Sequence, residues 1–312
     1  MHRDSTAARM STVFRTHIDP ILGHLPMVQV RPSHLRAWVK NRSQVLAPST
    51  LAVAYSCLTA MFNSAVIDRA IGVSPCLGVR LPGVEKHHHH IPTPDQVHTV
   101  AETLPARYSA IAYLAAGCGL RGGEITGLEV DAIDFLRREV DVRQQLVCIA
   151  GRKPFLGPPK TKTSVRTVEL PEVAAFALET HIKRYSPIEI EIDDETDPRN
   201  PRRRLAKLIF LSSTLNPIHR SDWAHIWAPA RDAASIPKGT GLHSFRHYFA
   251  TLLIHNGASV KTVQMALGHA TPTITLNTYV GEWPEPHEKT RRIVDDALSR
   301  VPGMCPDKAT RR

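Results

Sequence analysis

Gly241-Leu242-His243-Ser244-Phe245-Arg246-His247 opens a stretch that runs through Leu267-Gly268-His269 and ends at Asn277-Thr278-Tyr279. A histidine, an arginine, a second histidine and a tyrosine fall at set intervals between positions 243 and 279. His243 and Arg246 are three apart in a segment that reads as a helix, so both project from one face. Cationic donors grouped ahead of one tyrosine suit the attack of a phenolate on a phosphodiester, with the charge held by guanidiniums. Each residue type alone is common, and a lone tyrosine is usually a packing residue. Tyr279 lies in a polar stretch rather than an obvious apolar stripe, and the spacing carries more weight than the types.

Working outward, Gly119-Leu120-Arg121 places another arginine at a helix end, where a turn can present it to a cleft; a surface ion pair with Glu124 is the competing use. Gly157-Pro-Pro-Lys160-Thr-Lys162-Thr-Ser-Val-Arg166 is turn-rich and basic. Lys160 there can reach a substrate as a proton donor, and Lys162 is the alternative. His243 and His247, at i and i+4, mimic a zinc pair but lack the intervening glutamate and an evident third ligand, so no metal is expected.

The 312-residue chain is 42% hydrophobic and carries a formal charge of +10. That length suggests two domains, and the charge favours a polyanionic partner. Residues 1–90 hold ten Lys/Arg against four acids, so +6 of the +10 lies there. The five cysteines, at 57, 76, 118, 148 and 305, show no paired spacing. That argues for a reducing cytoplasm and against a disulfide framework. No run of apolar residues approaches the length of a membrane span, and Met1-His-Arg-Asp is not a secretory leader. A cytoplasmic protein with no membrane association is expected.

The pattern implies a mainly α chain with a small β-sheet. Residues 1–85 read as an all-helical unit. In it, Pro48 and a hydroxyl cap open a helix with Leu51, Ala54, Tyr55, Leu58, Met61, Phe62 and Ala65 at helical spacing, and Ser33 caps another. Residues 86–95 read as an exposed linker whose four histidines hold no fixed coordination geometry. Residues 96–300 read as a mixed α+β domain, followed by a tail at 301–312. Its expected elements are a buried helix over 106–117, strands at 139–143 and 167–170 flanking a cationic hairpin, and a surface loop at 186–207. A strand at 208–211 and helices over 223–232, 243–256, 260–267 and 288–299 complete it.

In order, these segments resemble the tyrosine recombinase (phage integrase) family. The resemblance spans Gly119-Leu-Arg121-Gly-Gly-Glu124, Pro159-Lys160-Thr-Lys-Thr-Ser164-Val-Arg166, His243-Ser-Phe-Arg246-His, Leu267-Gly-His269 and Asn277-Thr-Tyr279. Every position of the family's Arg, Lys, His, Arg, His, Tyr pattern is present, as Arg121, Lys160, His243, Arg246, His269 and Tyr279. The resemblance implies a site-specific DNA recombinase that acts through a 3′-phosphotyrosyl intermediate, without cofactor or metal. Arg121 and Arg246 would hold the scissile phosphate, Tyr279 would attack and His243 would accept its proton. Lys160 would protonate the departing 5′-oxygen, and His269 would bond the phosphate or position the tyrosine. The helical unit would be a core-binding domain. Partners would be double-stranded DNA, a homotetramer on two DNA sites with the segment 286–299 packed on a neighbour, and an accessory directionality factor.

Two features depart from the family pattern. The first helix begins almost at the N-terminus with no arm-binding domain ahead of it, and the insertion at 186–207 is long. They leave open a truncated remnant that binds DNA without cutting it; a type IB topoisomerase-like enzyme shares the same chemistry.

Overall fold

The computed structural model describes residues 4–84 and 90–282. The expected helix at 288–299, the tail and residues 86–89 of the histidine linker lie outside the described residues. The chain divides into two compact units, Met1–His89 with Cys148–Pro154, and His90–Val147 with Phe155–Arg312.

In the first unit, α1 (Asp4–Val13) runs through a wider π turn (Phe14–Ile18) into α2 (Asp19–Leu22). The wide turn precedes Pro20, which lacks the N–H that a regular turn would direct back at residue 16. The Trp38 indole donates to the His17 carbonyl at 2.8 Å, tying this turn to α3 (Pro32–Arg42). α4 (Pro48–Ile67) follows. No hydroxyl cap forms on α4; Pro48 in its first turn lacks only a donor that would be unpaired there anyway. Contrary to the sequence expectation, α4 has the length and composition of a membrane span, at 20 residues and mean hydropathy 1.5. Its Leu51, Leu58 and Phe62 pack with Leu35 and Trp38 in the core of this unit.

The second unit opens with α5 (Pro94–Thr103), which sequence patterning missed. Thr93 accepts from the Gln96 amide and Gln96 reaches back to the Thr93 N–H, a capping box that was legible in Thr-Pro-x-Gln. α6 (Ser109–Cys118) is apolar all round and lies at the centre of the core, with Ile111, Ala112, Leu114 and Ala115 fully buried. α7 (Gly122–Thr126) follows after a sharp turn.

β1 (Ile133–Asp134), β2 (Glu139–Val142) and β5 (Arg166–Glu169) form an antiparallel sheet. Between β2 and β5 the chain does not make one cationic hairpin. It inserts β3 (Gln145–Val147) and β4 (Phe155–Gly157), which belong to a second sheet. α8 (Glu172–Arg184) packs on α6.

Residues 186–207 are not a loop. β6 (Ile190–Asp194) and β7 (Arg202–Ala206) pair antiparallel, and β4 runs parallel to β6. What reads as an acidic run followed by a basic run is a cross-strand charge ladder, with Asp193 opposite Arg203 and Asp194 opposite Arg202. Arg204 bonds Glu129 and Asp194, each at 2.6 Å. Residues 208–211, expected as a strand, are buried in the core but make only isolated bridges, Glu129 with Leu208 and Leu211 with Pro217. The last helices among the described residues are α9 (Arg220–Ala233), α10 (His243–His255), α11 (Val260–Leu267) and α12 (Pro272–Tyr279).

Candidate active site

The turn between α6 and α7 presents the first arginine. Gly119 ends α6 at φ +62, and a Cβ there would run into the Phe249 ring, so the turn requires glycine twice over. Arg121 then starts α7 in extended conformation. Its Nη1 lies 2.6 Å from Glu124 Oε1 and 3.3 Å from Ser164 Oγ. Glu124 is 1% exposed and is shared with Arg166, whose Nη2 is 3.1 Å from Oε2. The Arg121–Glu124 pair anticipated as a surface contact is therefore a buried anchor. Burial pushes the Glu124 carboxyl up, but Arg166 and Arg121 outweigh it and hold the group below the usual carboxylate range.

α10 carries His243, Arg246 and His247 on one side. His243 is exposed at its start, whereas Arg246 is 1% exposed one turn further in. Arg246 donates to the backbone carbonyls of Gly119 and Leu267, which binds together the two glycine turns of the site. Burial, then repulsion from Arg121, lowers its pKa to about 9. The rings of His243 and His247 meet edge to face at 4.8 Å.

Tyr279 ends α12. Contrary to the polar look of its sequence, it is 4% exposed, packed with Ala250, Ile254, Val263 and Leu267. Its Oη lies 2.8 Å from His247 Nδ1. Burial raises the phenol to about 12 against the opposing pull of Arg246 and Arg121, so it holds its proton at neutral pH.

His269 sits in the α11–α12 turn, with Nδ1 2.9 Å from the hydroxyl of the buried Thr275. Burial first, then Arg246, Arg121 and Arg166, lowers its pKa to about 4. The neutral tautomer that accepts from Thr275 at Nδ1 carries its proton on Nε2 and can donate it outward. Gly268 is required just before it: φ is +62, and a Cβ would stand 3.0 Å from Ser164 Cα and from the Thr163 carbonyl oxygen.

Lys160 is exposed on the β4–β5 connection, and Lys162, also exposed, begins a single turn of 3₁₀ helix. The loop is fastened just beyond them. Ser164, fully buried, bonds Thr161, Arg121 and the Gly268 carbonyl.

The fold thus gathers Arg121, Arg246, His269 and Tyr279, sets His243 at their edge and hangs Lys160 on a loop anchored to them. Sequence reasoning overlooked Arg166 and Ser164, although both lie in the basic stretch it singled out. It weighed His247 only as a metal ligand. Among the described residues no three His, Cys, Asp or Glu side chains gather as a metal site. Three guanidiniums around one carboxylate leave an excess of positive charge, and an anion would relieve it.

The model of the phage integrase family matches residues 93–284, and that of the phage integrase N-terminal SAM-like domain matches residues 2–41. The chain is 29% identical over 273 residues to a tyrosine recombinase XerC-like protein of Caldanaerobacter subterraneus, covering 83% of this chain and 68% of that one. In fold it is similar to the Tn1549 transposon integrase in complex with a circular intermediate DNA, with TM-score 0.79, 22% identity, and 95% and 94% of the two chains covered. It is also similar to a lambda integrase tetramer bound to a Holliday junction, with TM-score 0.65, 15% identity, and 88% and 74% covered. The family match takes in every one of the clustered residues, and the chain belongs to the phage integrase family of tyrosine recombinases.

Proposed function

We propose that this tyrosine recombinase cuts and rejoins DNA at a specific site through Tyr279, which attacks phosphorus and leaves a 3′-phosphotyrosyl link. The observation that carries the reading is the cationic cluster of Arg121, Arg166 and Arg246 around the single carboxylate of Glu124, next to a buried phenol. Among the described residues Arg246 forms no ion pair; its N–H groups rest on the Gly119 and Leu267 carbonyls, and Glu124 acts on it only at a distance. A phosphodiester held between Arg246 and Arg121 supplies a counterion and spreads the charge that grows in the transition state. His269 donates to a non-bridging oxygen, and a histidine of α10 takes the phenolic proton. Lys160, or Lys162 on the same loop, gives a proton to the 5′-oxygen. The P–O5′ bond is exchanged for a P–Oη bond of the same class, which conserves the bond energy, so rejoining needs no nucleotide.

The helical unit, residues 1–85, acts as a core-binding domain and residues 96–300 as the catalytic domain, each contacting duplex DNA mainly through its phosphates. Four protomers act on two DNA sites, as the similarity to the lambda integrase tetramer supports. A directionality factor biases the exchange, and the protein works in the cytoplasm.

Nicked duplexes made from the DNA flanking the gene test the reading. Wild type should give a protein–DNA band that survives denaturant. Tyr279→Phe should bind the same DNA, with affinity falling steeply as salt rises, and give no band. A band that persists in Tyr279→Phe removes Tyr279 from this role.

A further inference from the structure

We propose that His247, rather than His243, receives the phenolic proton of Tyr279 when the tyrosine attacks phosphorus. This rests on the reading of Tyr279 as nucleophile. His247 Nδ1 stands 2.8 Å from the phenolic oxygen, within the range for direct proton transfer, and the two rings lie 5.4 Å apart at 61°. The contact joins residues 32 positions apart, and both are sheltered: Tyr279 is 4% exposed and His247 8%. A base screened from water keeps its alignment and gives up no proton to solvent during the step. His243, one helical turn earlier and exposed, meets the His247 ring at 4.8 Å and can be used on the phosphate instead.

The atoms balance. The Oη–H bond breaks toward His247 Nδ1 as the Oη–P bond forms. The P–O5′ bond breaks with its electron pair on the 5′-oxygen, which takes a proton from the lysine of the β4–β5 loop. His247 gains one proton, the lysine loses one, and religation runs the same transfers in reverse. Charged groups acting on Tyr279 are Arg246 on α10, Arg121 before α7, and Glu282 just beyond α12. Arg246 and Arg121 pull the phenol toward ionisation against its burial, and phosphorus takes up the charge as the proton leaves.

Three measurements on the full chain test the proposal. In ¹⁵N-histidine NMR without DNA, the His247 Nδ1 resonance should move when Tyr279→Phe removes the hydroxyl; an unmoved resonance overturns the contact. On the nicked flanking-DNA duplex, His247→Asn keeps an acceptor near the Nδ1 position but cannot be protonated. It should bind DNA like wild type and form adduct about a hundredfold more slowly, the typical loss for a general base; a wild-type rate overturns the proposal. In His247→Ala, added imidazoles should restore adduct formation at rates that rise with their basicity. Rescue indifferent to basicity, or no rescue, overturns proton transfer. A wild-type chain that forms no adduct counts against the proposed function alone, because the NMR measurement reads the contact without DNA.

Discussion

Arg121 and Glu124 form an ion pair in which the acid is buried and the base reaches outward: Nη1 and Oε1 are 2.6 Å apart, with the carboxylate 1% exposed and the guanidinium side chain 22% exposed. Glu124 also bonds Arg166, so one carboxylate fixes two arginines at the site. Such an arrangement pre-orients a guanidinium for phosphate without neutralising the site.

Replacing Glu124 with Gln keeps the shape and removes the charge. Two guanidiniums are then left without their buried partner, and breaking a buried pair in this way costs about 3–5 kcal/mol. Urea denaturation of Glu124→Gln should show a lower midpoint with an unchanged slope. A midpoint equal to wild type would mean that Arg121 and Arg166 are held by something other than this carboxylate.

Gly268→Ala forces a Cβ to within 3.0 Å of Ser164 Cα and the Thr163 carbonyl oxygen at a backbone φ of +62. The strain should cost about 1–3 kcal/mol. Because the same turn carries His269 and faces the loop of Lys160, adduct formation should fall by more than the fraction unfolded explains. Thermal melts beside single-turnover cleavage separate the two effects.

His269 has a folded pKa lowered from 6.5 to about 4, chiefly by burial and then by Arg246. The unfolded chain binds its proton first on acidification, so this histidine stabilises the fold above pH 6.5. That contribution drains away as the pH falls toward about 4. Glu124, whose carboxyl is held low, adds a further loss at more acidic pH. Denaturation midpoints of wild type and His269→Asn, compared across this range, should differ in slope between pH 6.5 and 4. Parallel curves would contradict the shift.

Where local rules set the structure, the sequence was readable. α11 occupies Val260–Leu267 as expected, with Ser259 accepting from Thr262 at its start and Gly268 ending it. α10 runs His243–His255, one residue short of the expected end. Elsewhere the deciding partners were remote. The charges of residues 189–204 suggest a solvated loop until β6 and β7 are set side by side, when they become facing pairs. Residues 208–211 have strand composition, yet they meet the core rather than a neighbouring strand and make only isolated bridges.

The candidate site divides in the same way. Sequence alone determined which residue types are present, their order, and that His243, Arg246 and His247 share a helix face, because a helix fixes the geometry of neighbours three and four apart. Only the tertiary structure decided that Glu124 is a buried anchor, that Ser164 fastens the lysine loop to Arg121 and Gly268, and that Tyr279 is packed away against His247. Each of the last two depends on contacts across 32 to 104 residues, set by how α10, α11, α12 and the sheet pack together; no local periodicity encodes them.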